Sequence, residues 1–299
     1  MNEMSEKEES KGEKKEGKVQ GKATQALHLA YPRRDVYDAL SMPVYHAVAY
    51  EFDNAAAMTD SFAGRSGAPD YSRTGNPTVT YFENRVKALT DAHSVTAFNS
   101  GMAAISNAFL ALTSQGKNIV TSKHLFGNTY SLLTESLVRF GIETRLVDLS
   151  NIEETAQLID ENTACVFFEI MTNPQMEIVD IAALARVAHE KHVPLVADTT
   201  MIPFTCFSAH ALGVDIELVS STKYISGGAT SLGGLIIDYG TVKGFDHKIR
   251  IEQLYNFGAY MTPQVAYLQT LGLETLDARY RVQAANALEL ATRLQHLPA

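Results

Sequence analysis

The chain has 299 residues, of which 45% are hydrophobic and 20% are charged, enough apolar material for one large globular domain or two smaller ones. Its formal net charge of -9 argues against a nucleic-acid partner, because a protein that neutralises backbone phosphates needs a basic face. No run approaches the roughly 20 apolar residues of a membrane span, so we expect a cytoplasmic protein without a membrane partner.

The first 22 residues, MNEMSEKEESKGEKKEGKVQGK, mix Lys with Glu and contain almost no apolar side chains. Such a segment cannot bury enough surface to offset its ordering entropy, so residues 1–22 are predicted to be a disordered tail. Residues 23–77 have an irregular pattern, with one extended candidate, SMPVYHAVAYEF, and the turn-rich stretch GRSGAPDYSRTGNPT. This second segment is predicted to be an arm instead of a compact domain.

Short apolar runs alternate with helix-length segments after the arm. Helices are predicted over about 102–112, 129–140 and 181–191, and strands at SVTAF, NIVTS, ETRLVDL, TACVFFEI and VPLVADT. This alternation predicts an α/β fold whose parallel strands are joined by helical crossovers. Ligands of such sheets bind at the carboxyl ends of the strands, so functional residues are expected just after SVTAF, VFFEI and PLVAD.

The two cysteines, Cys165 and Cys206, lie far apart within apolar sequence. Two buried thiols are therefore expected, without a disulfide and without a metal site.

The stretch NSGMAAI predicts a turn from strand to helix. Ser100 can cap the helix, and Gly101 allows a ligand to approach the free N–H groups at its start, an arrangement suited to phosphate. Many helices begin this way without binding an anion, so ordinary capping is the alternative. The chain contains neither G-x-G-x-x-G nor G-x-x-x-x-G-K-[ST], which excludes a dinucleotide fingerprint and a Walker loop.

Two charged residues follow later strands. Asp198 ends VPLVAD, where a buried carboxylate needs a partner such as the protonated nitrogen of a pyridine ring; a hydrogen bond to a neighbouring loop is the alternative. Lys223 stands in VSSTKYISGG, among hydroxyl groups in an expected partly desolvated cleft, which suits a lysine that bonds covalently to an aldehyde. A solvated surface lysine is the alternative.

Together, a phosphate cradle, a strand-end aspartate and a lysine are what pyridoxal phosphate requires. The cofactor needs an anion site, a partner for its ring nitrogen and an amine for its aldehyde. The sequence therefore predicts pyridoxal phosphate as the cofactor.

Six stretches occur in one order between Tyr71 and Gly228: YSRTGNPT, NSGMAAI, LFGNTY, FEIMTNP, VADTT and SSTKYISGG. In this order and spacing they resemble the fold-type I pyridoxal-phosphate enzymes of cysteine and methionine metabolism. The resemblance implies a fold-type I transferase with a mostly parallel seven-stranded sheet flanked by helices. Residues 78–242 would form its cofactor-binding large domain, and residues 243–299 the start of a C-terminal domain, truncated after its first long helix.

The resemblance also implies roles for particular residues. Lys223 would bind the cofactor covalently and move protons, Asp198 would keep the cofactor ring protonated, and Phe126 would stack on that ring, where the family most often has a tyrosine. Contacts to the phosphate and to the phenolic oxygen of the cofactor would come from Ser100, Gly101, Met102, Asn173, Ser220 and Thr222.

Tyr71 and Arg73 match residues that reach the phosphate in a neighbouring subunit. The resemblance thus implies a homo-oligomer with shared sites, usually a dimer of dimers.

The segment GGATSLGGLIID is most similar to the O-acetylhomoserine sulfhydrylase branch. This similarity implies γ-replacement in methionine biosynthesis: O-acetylhomoserine and sulfide, or another sulfur donor, would give homocysteine and acetate. Phe126 lacks a phenolic hydroxyl, which favours acetate over a thiolate as the leaving group. A methionine γ-lyase, or a cystathionine γ-synthase or lyase, is the first alternative reaction. A chain that binds the cofactor without catalysis is the second.

Besides Phe126, three positions depart from the family pattern. Thr199 replaces an asparagine, and Ile170 with Met171 replaces a serine and a proline. The C-terminal domain of the family also supplies an arginine for the substrate carboxylate, and neither Arg279 nor Arg281 is assigned that role.

Overall fold

The computed structural model describes residues 21–28 and 37–297. Its central sheet has seven strands: β1 (Ser94–Phe98), β2 (Asn118–Ser122), β3 (Glu143–Val147), β4 (Thr163–Glu169), β5 (Leu195–Asp198), β6 (Ile216–Val219) and β7 (Gly234–Asp238). Their order across the sheet is β1-β7-β6-β5-β4-β2-β3, and only β7 runs antiparallel to its neighbours. The α/β class and the mostly parallel seven-stranded sheet are thus confirmed.

Eleven α-helices occur in the described residues: α1 (Lys22–His28), α2 (Ala55–Phe62), α3 (Pro77–Thr90), α4 (Gly101–Leu112), α5 (Gly127–Ser131), α6 (Ile152–Leu158), α7 (Ile181–Glu190), α8 (Phe245–His247), α9 (Tyr255–Phe257), α10 (Pro263–Glu274) and α11 (Leu276–Leu294). A π-helical turn, Leu132–Ser136, and a 3₁₀ turn, Leu137–Phe140, continue α5. Another π-helical segment, Lys248–Leu254, joins α8 to α9, and a further 3₁₀ turn covers His210–Leu212.

The strands bury side chains on both faces of the sheet, as crossovers on both sides require. On one face Phe167 of β4 packs edge-on against Phe109 of α4, with ring centroids 5.1 Å apart. On the other face Phe168 packs within the cluster that contains α7, while Leu235 of β7 packs within the cluster that contains α3 and α10. Helices on both faces therefore leave only the strand ends open to a ligand.

Several predicted elements differ from the structure. The predicted helix over 129–140 is α5 followed by π and 3₁₀ turns, and the predicted long C-terminal helix is two helices that meet at Thr275. Strands β6 and β7 were not predicted, because β6 has Glu217 inside a run of only four residues and β7 begins at the second glycine of a pair. Of the predicted tail, residues 1–20 lie outside the described residues, as do residues 29–36 of the predicted arm.

The prediction of two buried thiols is correct for Cys165 and wrong for Cys206. Cys165 lies inside β4 and is inaccessible. Cys206 lies in the loop after β5, where its Sγ is exposed and 3.6 Å from Asp277 Oδ1. The apolar sequence around Cys206 covers a neighbouring cluster through Phe204 and leaves the thiol outside. No group of His, Cys, Asp and Glu side chains in the described residues could hold a metal ion.

Candidate active site

Ser100 and Gly101 stand where β1 turns into α4. Ser100 is the N-cap, because its Oγ accepts the Ala103 N–H at 3.1 Å, which confirms the predicted capping. A Cβ on Gly101 would stand 2.7 Å from the Cβ of Ser220, so only glycine lets this turn approach the segment before Lys223 so closely. The first N–H groups of a helix have no acceptor within the helix. The start of α4 and the adjacent Ser220 therefore form a cradle suited to phosphate.

Asp198 ends β5 beside this cradle. Its Oδ1 accepts the Thr200 N–H at 2.9 Å, so the hydrogen bond to a neighbouring loop that was the alternative role is present. Burial raises the pKa of the Asp198 carboxyl, and the hydrogen bonds from Thr200 oppose that rise. The same carboxyl lines a cavity, so a cationic ring nitrogen in that cavity would be a favourable partner.

Lys223 lies in the loop after β6, and its backbone N–H donates to Ser220 O at 3.1 Å. The Thr222 hydroxyl donates to Gly233 O at 3.1 Å and accepts the Gly233 N–H at 2.9 Å, which fixes this loop against the start of β7. The expected desolvation of Lys223 is wrong for the isolated chain: its side chain is exposed at the cavity wall. Its Nζ has no hydrogen-bond or ion-pair partner among residues 21–28 and 37–297.

One cavity of about 380 Å³ connects these groups. It brings together all the site residues predicted for the chain itself, namely Ser100, Gly101, Met102, Phe126, Asn173, Asp198, Ser220, Thr222 and Lys223. The carboxyl ends of β1, β4, β5 and β6 supply most of them, as the edge of a parallel sheet predicts.

The sequence analysis missed several residues of this cavity. Apolar side chains line much of its wall, among them Ile105, Met171, Met201 and Leu232. Glu169 was also missed, although it ends the buried run VFFE in the same way that Asp198 ends PLVAD. A charged residue that closes an apolar strand was therefore a signal that could have found it.

Glu169 is a buried carboxylate that reaches two loops. Its Oε1 accepts the Phe126 N–H at 2.6 Å and its Oε2 accepts the Asn173 N–H at 3.3 Å. Burial and the nearby Asp198 raise the pKa of the Glu169 carboxyl to about 7, and the two N–H groups oppose that rise. This carboxyl therefore changes its charge near neutral pH.

Tyr71 and Arg73 do not line the cavity. Tyr71 is exposed, and the Arg73 guanidinium lies 5.4 Å from the centroid of the Tyr71 ring while it donates to Tyr255 O. Their role toward a neighbouring subunit stays a prediction.

Arg279 and Arg281 also lie outside the cavity, on α11. The Arg279 guanidinium donates to Gly272 O at 2.7 Å, and Arg281 pairs with Asp277 at 2.8 Å. Both side chains have structural partners. This agrees with the sequence analysis, which assigned neither arginine to the substrate carboxylate.

The residues of the cavity fit pyridoxal phosphate. Gly101 lets the start of α4 pack directly against Ser220 at the cavity wall, Asp198 presents a buried carboxyl, and Lys223 presents an amine to the same space. No helix in the described part of the chain has the length and apolar character needed to cross a membrane.

Known proteins with similar sequences and folds agree with this fit. The chain is 35% identical over 285 residues to the L-methionine gamma-lyase of Fusobacterium nucleatum subsp. nucleatum. The aligned region covers 95% of this chain and 71% of that protein. The metY protein of Campylobacter jejuni, solved with N'-pyridoxyl-lysine-5'-monophosphate, has a TM-score of 0.88 and 30% identity, over 93% of this chain and 76% of that one. The O-acetylhomoserine sulfhydrylase of Wolinella succinogenes has a TM-score of 0.71 and 42% identity, over 76% of this chain and 72% of that one.

The sequence profile of one family, described as Cys/Met metabolism PLP-dependent enzyme, matches residues 23–299. That match includes every residue of the cavity. The chain therefore belongs to the Cys/Met metabolism PLP-dependent enzymes, and its cofactor is pyridoxal 5'-phosphate.

Proposed function

We propose that this chain catalyses γ-replacement on an acylated homoserine, in which sulfide or a small thiol displaces acetate. The observation that carries the proposal is Phe126, which lines the cavity, stands where the resemblance predicts a residue stacked on the cofactor ring, and has no hydroxyl; the phenol of Tyr224 belongs to a different part of the cavity wall, beside Lys223 in the chain. A departing thiolate is far more basic than acetate and gains more from a phenol that can donate a proton. A cavity with phenylalanine instead of tyrosine at position 126 is therefore better suited to release acetate.

The roles of the cavity residues follow from their positions and from the resemblance. Ser100, Gly101, Met102, Ser220 and Thr222 would bind the phosphate. Thr222 would do so only after its hydroxyl turns away from Gly233 O.

The remaining residues would act on the ring and on the substrate. Asp198 would hold the proton of the ring nitrogen, Asn173 would contact the phenolic oxygen, and Phe126 would cover one face. The bound cofactor supplies an electron sink for the bonds that break at the substrate. The amine of Lys223 would accept the proton from Cα and assist loss of the proton from Cβ.

The active unit is inferred to be at least a homodimer. Tyr71 is 40% exposed and, with Arg73, lies outside the cavity of its own chain. Tyr71 would complete the phosphate site of a second copy, and Arg73 would join it there after its guanidinium releases Tyr255 O.

The test is a product analysis of purified protein with pyridoxal phosphate. With O-acetylhomoserine and sulfide, we expect homocysteine and acetate in equal amounts; with methionine, we expect little 2-oxobutanoate, methanethiol or ammonia. Phe126→Tyr should increase release of 2-oxobutanoate from methionine roughly tenfold or more, because it places a proton donor at the position proposed to cover the cofactor ring. Tyr130→Asn, an exposed position one helical turn away, is the control and should change neither reaction. Ketoacid as the sole product of the wild type would contradict the proposal.

A γ-lyase is the second candidate function. It is favoured by the 35% identity to the L-methionine gamma-lyase across 95% of the chain. Release of 2-oxobutanoate from methionine at a rate above that of homocysteine formation would establish it in place of γ-replacement. If the wild type converted neither O-acetylhomoserine nor methionine faster than a Lys223→Ala control, the protein would instead bind the cofactor without catalysis.

A further inference from the structure

Two loops that face the cavity leave the same edge of the sheet. One follows β2 and ends at Phe126, and the other follows β4 and contains Asn173. Strands β2 and β4 are parallel neighbours, with Thr121 opposite Phe167, so both loops begin side by side. The two residues proposed to contact the cofactor ring and its phenolic oxygen thus depend on how these loops are held.

A single carboxylate joins the two loops. Glu169, at the end of β4, accepts the Phe126 N–H through Oε1 and the Asn173 N–H through Oε2. Its side chain is only 6% exposed, and a carboxylate so deeply buried is tolerated when hydrogen bonds satisfy it. Phe126 has no polar side-chain atom, so hydrogen bonds fix it through its backbone alone: its C=O accepts the Tyr130 N–H at 2.9 Å, and its N–H, which donates to Glu169, makes the bond to the other loop.

A second contact between the same loops is much more exposed. His124 and Glu177 lie 2.7 Å apart, with 47% and 51% of their side chains accessible. Pairs of this kind contribute little, because water and salt screen them. Glu169 is therefore the contact between these loops that is shielded from solvent.

Glu169 also lines two cavities. It lines the proposed cofactor site, and it lines a second cavity of about 260 Å³ whose wall includes Asp148, Thr172 and Glu177. The Glu169 side chain therefore forms part of the wall of both cavities.

We propose that Glu169 is a positioning residue, which holds Phe126 and Asn173 against the bound cofactor through their backbone N–H groups. This inference rests on the cofactor dependence of the family and on the proposed places of Phe126 and Asn173, and it holds for either candidate reaction. It predicts that the charge-neutral variant, Glu169→Gln, impairs the geometry of the bound cofactor. A glutamine side chain has one carbonyl oxygen, which can replace one of the two carboxylate oxygens. The other backbone N–H would then face the NH₂ group of the glutamine, which cannot accept its hydrogen bond.

The experiment compares apoproteins of the wild type, Glu169→Gln and the control Glu177→Gln. Each is titrated with pyridoxal phosphate, and the visible circular dichroism of the bound cofactor reports its orientation. We expect Glu169→Gln to bind at least tenfold more weakly and to change the dichroism, while Glu177→Gln stays within twofold of the wild type. Equal affinity and an unchanged dichroism for Glu169→Gln would overturn the proposal.

Amide hydrogen exchange of the wild-type apoprotein gives an answer even if Glu169→Gln does not fold. The amides of Phe126 and Asn173 should exchange at least tenfold more slowly than that of Asn128, because each donates to a buried carboxylate. Exchange of both amides at the rate of exposed loop amides would overturn the proposal. If the wild type bound no pyridoxal phosphate, the proposed function would be wrong. If the wild type and Glu169→Gln bound the cofactor equally well and with the same dichroism, only this inference would be wrong.

Discussion

Gly101 and Ser220 are in such close contact that a Cβ on Gly101 would stand 2.7 Å from the Cβ and 2.9 Å from the Oγ of Ser220. The contact joins the start of α4 to the segment that precedes Lys223. It thereby sets the distance between the phosphate cradle and the amine.

Gly101→Ala is expected to lower the affinity for pyridoxal phosphate about tenfold or more, because Ser220 must move away from the cradle. Overpacking of this kind also costs about 1–3 kcal/mol of stability. Alanine is the better helix former by about 0.5–1 kcal/mol, so any loss must come from the contact itself. Fluorescence titration of the apoprotein measures the affinity. Gly67→Ala, which meets no atom within 4 Å, is the control, and equal affinities of the two variants would contradict this reading.

The two thiols should react differently with an alkylating or disulfide reagent. Burial raises the pKa of the Cys165 thiol to about 12, whereas Cys206 is exposed. Because the thiolate is the reacting form, the native protein should titrate one thiol per chain with Ellman's reagent, and the denatured protein two. Cys206→Ser should remove the native reaction. Native labelling that persists in this variant would show that Cys165 is accessible.

The stability of the apoprotein should depend on pH through Glu169. Burial raises the pKa of this carboxyl from 4.5 to about 7, so the folded protein binds its proton more tightly than the unfolded chain. Its contribution is therefore fully present below pH 4.5 and is lost as pH rises toward 7, by about 2–3 kcal/mol between pH 5 and pH 8.

Urea unfolding of the wild type and Glu169→Gln at these two pH values measures that contribution. The free energy of unfolding of the wild type should fall by about 2–3 kcal/mol more than that of the variant. The same pH dependence in both proteins would show that another group is responsible.

Asn76 should hold the arm against the large domain. Its Oδ1 caps α3 by accepting the Thr78 N–H at 3.0 Å, and its Nδ2 donates to Tyr45 O at 2.8 Å and to Ser72 Oγ at 2.9 Å. Asn76→Ala removes a helix cap and both side-chain hydrogen bonds to Tyr45 and Ser72 at a buried position, so we expect it to lower the free energy of unfolding by about 2–4 kcal/mol. Faster proteolysis within residues 37–76 should accompany the loss.

Asn54→Ala is the matched control for this measurement. Asn54 caps α2 at an exposed position by accepting the Ala57 N–H at 2.9 Å. Its loss should cost about 1 kcal/mol, as typical caps do. Equal losses for the two variants would mean that the arm contacts of Asn76 contribute nothing.

Much of the site could be predicted from the sequence, because its main residues follow local signals. Ser100 and Gly101 follow a buried strand and open a helix, and Asp198 closes an apolar run, so parallel-sheet geometry brings them to one edge. The role of Lys223 depended on its flanking hydroxyl groups and on the order of the motifs. These features do not depend on which residues from distant parts of the sequence pack against them in the fold.

The remaining features depend on contacts between distant parts of the chain. The carboxylate of Glu169 meets the N–H of a residue 43 positions earlier, and no local pattern encodes that pairing. Cys206 lies in apolar sequence, yet packing turns its neighbours inward and its thiol outward. Strand β7 pairs with β1 and β6 across the sheet, and its assignment needed those partners.

The most direct test of the central claim is the visible absorption spectrum of the protein after incubation with pyridoxal phosphate and desalting, for the wild type, Lys223→Ala and the control Lys243→Ala. Borohydride reduction and peptide mapping then identify the labelled lysine. The wild type and Lys243→Ala should retain a visible band with the label on Lys223, and Lys223→Ala should lose it. The assignment of this cavity as the cofactor site would be contradicted if the wild type had no visible band. It would also be contradicted if Lys223→Ala kept the band of the wild type and carried the label on another lysine.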